Sequence, residues 1–411
     1  MKLAVLSDLH LGDPICALIK QTDTCIETTE YYEKLKSAVG TDNDYLIILG
    51  DLFDIAVRDY EDVYTAAAHF FECLKRDNIA KEIIYVPGNH DYSIWHTLEH
   101  QINVIDRMQK KELPRQFKQN VPGLLDLRSN SSSQHFRLQG VSRKAGEHPY
   151  GDIYLKNVNL LNNPDFTEPT FFNIAYPNLY LVTDEGSYLF THGQYFESFW
   201  NLASEWLPKV AANDPEFGPA LKNMTLKESI AVNFPLGQLG SSGFGQAGIL
   251  TDLVRKVQND VTSKNGSLIN EYVKNLIEAM ELGKGERWFK RFLIWLLKPF
   301  IIDIIQGKIT KAVRAYHSSI YQELKEQIPV VLNRFVSYTE KSQQELAQFL
   351  SEEHIPLENG TLKALYFGHT HMPLPLQEIF SYSVNGTTIP ICNTGGWVNI
   401  PDGDSTKFCG A

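Results

Sequence analysis

Short apolar runs without polar alternation recur along the chain at residues 3–6, 45–49, 83–86, 188–190 and 365–367. Runs of this length, rich in Val, Ile, Leu and Tyr, read as strands buried on both faces, as in a sheet covered by helices. Between the first three lie stretches of helical character, residues 26–39 and 62–75. The resulting β-α-β-α-β order predicts parallel strands joined by right-handed crossovers. Residues 178–183 and 187–191 flank Asp184-Glu185-Gly186, a turn-forming cluster that predicts an antiparallel hairpin. Residues 129–146 are polar and Ser-rich and read as a surface loop. From Phe199 to Tyr338 helical periodicity takes over and strand signals vanish, so residues 199–338 read as a helical insertion.

Composition narrows the class. With 411 residues, 43% of them hydrophobic, the chain can fill the core of a large α/β domain carrying an insertion. A formal charge of −11 argues against general nucleic-acid binding, because phosphate backbones are held by Lys and Arg. The 5 cysteines include no CxxC pair, which points away from a disulfide framework or a thiolate zinc site and towards a reducing cytoplasm. No secretion signal is read at the N-terminus, where Met1 leads straight into the first apolar run. The most apolar stretch, residues 292–305, is broken by Lys298, Pro299 and Asp303 and falls short of the roughly 18 to 20 apolar residues of a spanning helix.

Each strand-like run is followed at once by a cluster of metal-ligating residue types. The clusters are Ser7-Asp8-Leu9-His10, Gly50-Asp51-Leu52-Phe53-Asp54, Gly88-Asn89-His90-Asp91, Thr191-His192-Gly193 and Gly368-His369-Thr370-His371. The carboxyl ends of strands in an α/β sheet open onto a shared crevice, so side chains distant in sequence can converge there. Asp8 with His10, and His369 with His371, each put two ligands on one side of an extended segment. Together the clusters offer more ligands than one ion needs. Imidazole, carboxylate and amide oxygen without thiolate suit Mn, Fe or Zn. Two such ions about 3.5 to 4 Å apart would share a carboxylate, generate a hydroxide near neutral pH and neutralise charge on a phosphate ester.

The order DxH, GDxxD, GNHD, H, GHTH resembles the calcineurin-like metallophosphoesterases over residues 1–194 and about 343–397. That resemblance implies a four-layer αββα sandwich, with residues 1–198 and 339–411 forming the phosphoesterase domain and 199–338 a helical cap. It implies Asp8, His10 and His371 as ligands of one metal, Asn89, His192 and His369 as ligands of the other, and Asp51 as the bridge. His90 resembles the family's general acid, suited by an ordinary pKa of about 6.5, and Asp91 would orient it or stabilise its charge. Asp54, left over once the ligands are counted, is expected to support ligands by hydrogen bonds. Gln194 stands where many small members carry a second histidine. The expected activity is hydrolysis of a phosphomonoester, phosphodiester or pyrophosphate, with Mn as the first choice of metal.

Other readings stay open at this level. Asp8-Leu9-His10-Leu11 and Gly50-Asp51-Leu52-Phe53 resemble the UDP-diacylglucosamine diphosphatases, which generally carry Arg where this chain has His90. A non-catalytic binding module of the same fold is a reading of another class, and nucleic-acid cleavage a third. His96-Thr97-Leu98-Glu99-His100 fits a zinc-protease spacing but reads better as a surface helix near the cleft. Gly243-Phe244-Gly245-Gln246-Ala247-Gly248 fits GxGxxG without a preceding strand and reads as a loop. Residues 288–311 combine Trp288, Trp295 and Phe300 with Lys290, Arg291 and Lys311, a composition compatible with internal packing, self-association or peripheral docking on a membrane.

Overall fold

The computed structural model describes residues 1–241 and 328–408, apart from 23–24, 57, 132–134, 142–148, 159–170, 199, 385 and 403–404, together with the single positions 256 and 271. Two compact units divide the chain, 1–246 with 329–411 and 247–328. Both main sheets and the candidate site lie in the first. The GxGxxG segment and residues 288–311 fall outside the described residues.

A four-stranded sheet runs in the order Leu3–Leu6, Asn43–Leu49, Ala80–Val86, Phe171–Ile174. All its pairings are parallel. Its central strands are apolar without alternation because both faces are covered: Leu46, Ile47, Ile48 and Leu49 are fully buried. The connecting helices carry their own start and stop signals. In Glu30–Val39 the Thr29 side chain accepts from the Tyr31 amide and Gly40, at φ 70°, ends the helix. Helix Tyr60–Arg76 buries Val63, Ala66, Ala67, Phe70, Phe71 and Leu74 on one stripe, with Glu61 and Asp62 in its first turn and Lys75 and Arg76 in its last. Phe71 meets Phe172 of the sheet edge-on at 5.5 Å.

A second sheet of seven strands runs in the order Leu374–Val384, Thr387–Asn393, Leu362–Phe367, Gly186–Thr191, Asn178–Thr183, Gly123–Asp126, Phe136–Leu138. The hairpin Asn178–Thr183/Gly186–Thr191 forms as expected, with Gly186 at φ 141°. Helix Ile328–Glu352 covers this sheet. The Tyr338 hydroxyl donates to Asn178 Oδ1 at 2.8 Å, and the Tyr180 hydroxyl donates to Glu345 Oε1 at 2.8 Å. The class is therefore the expected α/β sandwich, a parallel sheet and a larger mixed sheet with helices outside.

Local expectations shift in three places. Residues 25–28 are a strand, paired with Ile19–Thr22, and the helix starts only at Glu30, because Thr29 caps it. Residues 129–146 contain the edge strand Phe136–Leu138, whose buried Phe136 and Leu138 flank the half-exposed Arg137. Residues 329–338, read as part of the insertion, begin the helix that covers the second sheet: Phe335 is fully buried and stacks on Phe196 at 4.0 Å. No helix among the described residues is long and apolar enough to cross a membrane.

Candidate metal centre

All five clusters lie at the carboxyl ends of parallel strands. Leu3–Leu6, Asn43–Leu49 and Ala80–Val86 of the first sheet deliver Asp8 and His10, Asp51 and Asp54, and Asn89 to Asp91; the parallel pair Gly186–Thr191 and Leu362–Phe367 of the second delivers His192, His369 and His371. Backbone hydrogen bonds tie the ends together: the Asp8 amide donates to Gly50 O (3.1 Å), and the Gly368 amide donates to His192 O (2.9 Å). Close approach requires glycine at two of these turns. A Cβ on Gly50, at φ 73°, would collide with the His192 ring, and one on Gly368 with the Asp8 carboxylate. Asp8, His10, Asp51, His369 and His371 all adopt positive φ, between 48° and 70°. Non-glycine residues pay for that conformation, and such strain gathers where side chains must be aimed.

Of three groups of potential ligands among the described residues, one being His10, Asp54 and His90, the other two share Asp51. Asp8, His10, Asp51 and His371 form one, and Asp51, His192 and His369 the other. In the first, His10 Nε2 and His371 Nε2 face each other at 3.1 Å, and His371 Nε2 lies 3.4 Å from Asp8 Oδ1. In the second, His192 Nε2 lies 3.1 Å from His369 Nδ1 and 2.9 Å from Asn89 Oδ1. Asp51 belongs to both: its Oδ2 is 3.3 Å from His192 Nε2 and 3.8 Å from His10 Nε2. The structure thus brings together every residue the sequence singled out as a ligand.

The imidazoles are anchored by the nitrogen that does not face the cluster. His192 Nδ1 donates to Leu49 O at 2.8 Å, and His10 Nδ1 lies 3.2 Å from Asp54 Oδ2. His369 is the exception: its Nε2 lies 3.2 Å from Glu197 Oε2 without making a hydrogen bond. Anchoring one ring nitrogen fixes the tautomer and leaves the lone pair of the other free for a metal. Glu197 was not legible in the sequence. It reaches His369 only because the one-turn helix Gln194–Phe196 reverses the chain, and no ligand spacing marks it.

Charge leads to the same conclusion. Asp8, Asp51 and Asp54 are at most 2% exposed. Burial pushes the Asp51 carboxyl up, but the facing His192 and His90 hold it well below the ordinary range. Burial likewise raises Asp8 and is outweighed by His371 and His192. Conversely, burial lowers His192, yet Asp51 beside it drives it up to about 9. Buried carboxylates that draw protons onto their neighbours mark a place that requires positive charge. With this donor set, divalent cations fit.

His90 stands outside the two groups that share Asp51. Its amide donates to Asp51 Oδ1 (2.8 Å) and its Nδ1 lies 2.7 Å from Asp54 Oδ1, with 29% of the side chain exposed. Burial lowers its pKa, but the carboxylates of Asp54 and Asp51 raise it to about 10. Of the two roles expected of Asp91, its charge does help raise His90, but it does not orient the ring. Its carboxylate accepts from the amides of Gly88 (2.5 Å), Leu52 (2.8 Å) and Phe53 (3.3 Å), pinning two ligand loops together, and the hydrogen bond to His90 comes from Asp54 instead. The reason is direction: Asp91, at the first position before helix Tyr92–His100, spends its carboxylate on the loop amides rather than on the helix, while Asp54 reaches both His10 and His90.

The zinc-protease spacing has a packing explanation. Helix Tyr92–His100 is largely buried, against the surface position expected; His96 lies against Phe117 and Phe234 at 4.6 and 5.1 Å. Glu99, fully buried, accepts from Tyr150 Oη and from the Asn103 amide, at 2.5 and 2.7 Å. Gln194 is 1% exposed, and its carboxamide has no hydrogen-bond partner. Residues 1–220, more than half of the chain, match a family model described as calcineurin-like phosphoesterase. No curated protein matches the chain.

Proposed function

The chain belongs to the calcineurin-like phosphoesterase family, and from that premise we propose that it is a hydrolase of phosphate esters working with two divalent metal ions, manganese first. The observation that carries this reading is Asp51, whose single carboxylate is shared by two histidine-rich groups. Asp8, His10 and His371 would hold one ion, and Asn89, His192 and His369 the other. Such ions supply Lewis acidity, which lowers the pKa of nearby water and neutralises charge building on the phosphate oxygens.

The chain's own groups do the rest. Asp54 accepts from His90 Nδ1, so a protonated His90 carries its second proton on Nε2, the atom assigned here to the leaving oxygen. The neighbouring carboxylates keep His90 charged well above neutral pH in the metal-free protein. With cations held by the neighbouring ligands, the His90 value would fall towards the working range of a general acid. Asp91 holds the loops of Asp51 and Asn89 in register, and the Glu197 carboxylate sets negative charge beside His369.

A hydrolysis screen over aryl monoesters, linear and cyclic diesters and nucleotide-linked pyrophosphates, run with Mn²⁺ and with chelator, tests the proposal. Turnover that appears with Mn²⁺ and vanishes with chelator is expected. Absence of turnover on every class, with less than one transition metal bound per chain after reconstitution, would instead describe a binding module.

A further inference from the structure

Beside the metal centre, three helices line an open-mouthed cavity of about 320 Å³. Helix Ile328–Glu352 contributes Arg334, Ser337 and Lys341, spaced three and four residues apart and therefore on one face. Helix Leu226–Ser241 faces it with Ser229 and Asn233 beside Leu226 and Ile230. Helix Leu202–Val210 supplies Glu205 and Lys209. A gap left by imperfect packing would be lined by apolar side chains and stay dry; this one sets hydroxyls, amides and charges beside a comparable apolar surface. Its size and mixed lining are those of a small-ligand site.

The charge in it is unbalanced. Among the described residues that line it, three cations face one carboxylate, Glu205, in a chain of formal net charge −11. Glu205 is engaged with Arg334, whose Nε donates to Oε1 at 2.7 Å. Lys341 has no such partner: its ammonium donates to Ser229 Oγ at 2.5 Å, and among the described residues no carboxylate lies within ion-pair distance. Burial lowers its pKa, with only partial compensation from Glu228. A half-buried ammonium with one neutral acceptor is costly unless an anion completes its surroundings.

We propose that this cavity binds a small organic phosphate, its dianionic group held by Arg334, Lys341 and Lys209 and its carbon body lying on Leu226 and Ile230. The site stands apart from the metal ligands yet shares a wall with them. Arg334 Nη1 donates to Phe196 O at 3.4 Å, and the carboxylate of the next residue, Glu197, lies 3.2 Å from His369 Nε2.

Titration calorimetry on the full chain in chelator, with phenyl phosphate as the probe, tests this apart from any hydrolysis. Binding is expected in the wild type and in Asp51→Asn. It should weaken at least about tenfold in Lys341→Gln and in Ser337→Asp, where a charge-assisted contact is removed or a repelling charge placed in the cavity. Ser337 is exposed and its substitution leaves the core untouched, so Ser337→Asp decides the matter if Lys341→Gln folds poorly. No binding by the wild type, loss in Asp51→Asn with retention in Ser337→Asp, or equal affinity for benzoate would each overturn the assignment.

Discussion

Asp54 and Glu197 lie outside the proposed ligand set, yet each sets a carboxylate beside a histidine assigned to the site. Asp54 reaches His10 and His90 with its two oxygens. Replacing it by Asn removes the charge that raises His90, so turnover should fall by about 10- to 100-fold. The sign of the pH effect follows: His90 loses its proton at lower pH, and the alkaline limb of the kcat profile moves towards acid. A profile that keeps its alkaline limb would remove Asp54 from this role. For Glu197→Gln the expectation is metal affinity about 10- to 100-fold weaker, read by competition with a metallochromic chelator; unchanged affinity would make the Glu197–His369 contact incidental. The two residues differ in legibility. Asp54 sits inside a motif, so its place behind the ligands could be foreseen though not its grip on His90. Glu197 sits outside every motif and becomes visible only when the turn after His192 is folded. Asp91 was legible as a charge near His90, but not as the clamp on the Gly88 and Leu52 amides, which no local pattern marks.

Among the elements, the parallel strands were readable because burial on both faces removes polar residues from them, and their carboxyl ends then located the site. Edge strands were harder. Phe136–Leu138 has too few residues to show a period, and its partner Gly123–Asp126 is held by charge as much as by apolar contact. There the buried Asp126 accepts from Arg128 Nε and Nη2, both at 2.8 Å, with Arg137 3.6 Å away. Burial raises its carboxyl, but the guanidiniums outweigh burial and hold it below the ordinary range. A carboxylate with a depressed folded pKa contributes stability above its unfolded value, about 3.9, and loses it as pH falls through the folded value. Asp126→Asn should therefore cost about 1.5–3 kcal/mol at pH 7. The gap to wild type should close below about pH 4, as followed by thermal denaturation. A gap of constant size would place the effect in packing.

At the scale of the molecule, the ligands come from five strand ends in two sheets, so binding metal joins the sheets while an unfolded chain cannot assemble the site. Metal at a hundred times its Kd should raise stability by roughly 2.7 kcal/mol. Chelator should lower Tm correspondingly, and a Tm indifferent to chelator would mean that no such site is filled. The convergence was legible because every motif followed a strand-like run. What surrounds the ligands was not, since the cavity beside the centre is made of single Lys, Ser and Asn side chains on three helices whose approach no local pattern encodes. Asp51 is where both ligand groups meet, and its removal tests the account most directly. Turnover of an activated aryl phosphate in Mn²⁺ by folded Asp51→Asn should fall by at least about a thousandfold, as expected when the charge holding two catalytic cations is lost. Wild-type turnover in that variant would contradict the two-metal reading.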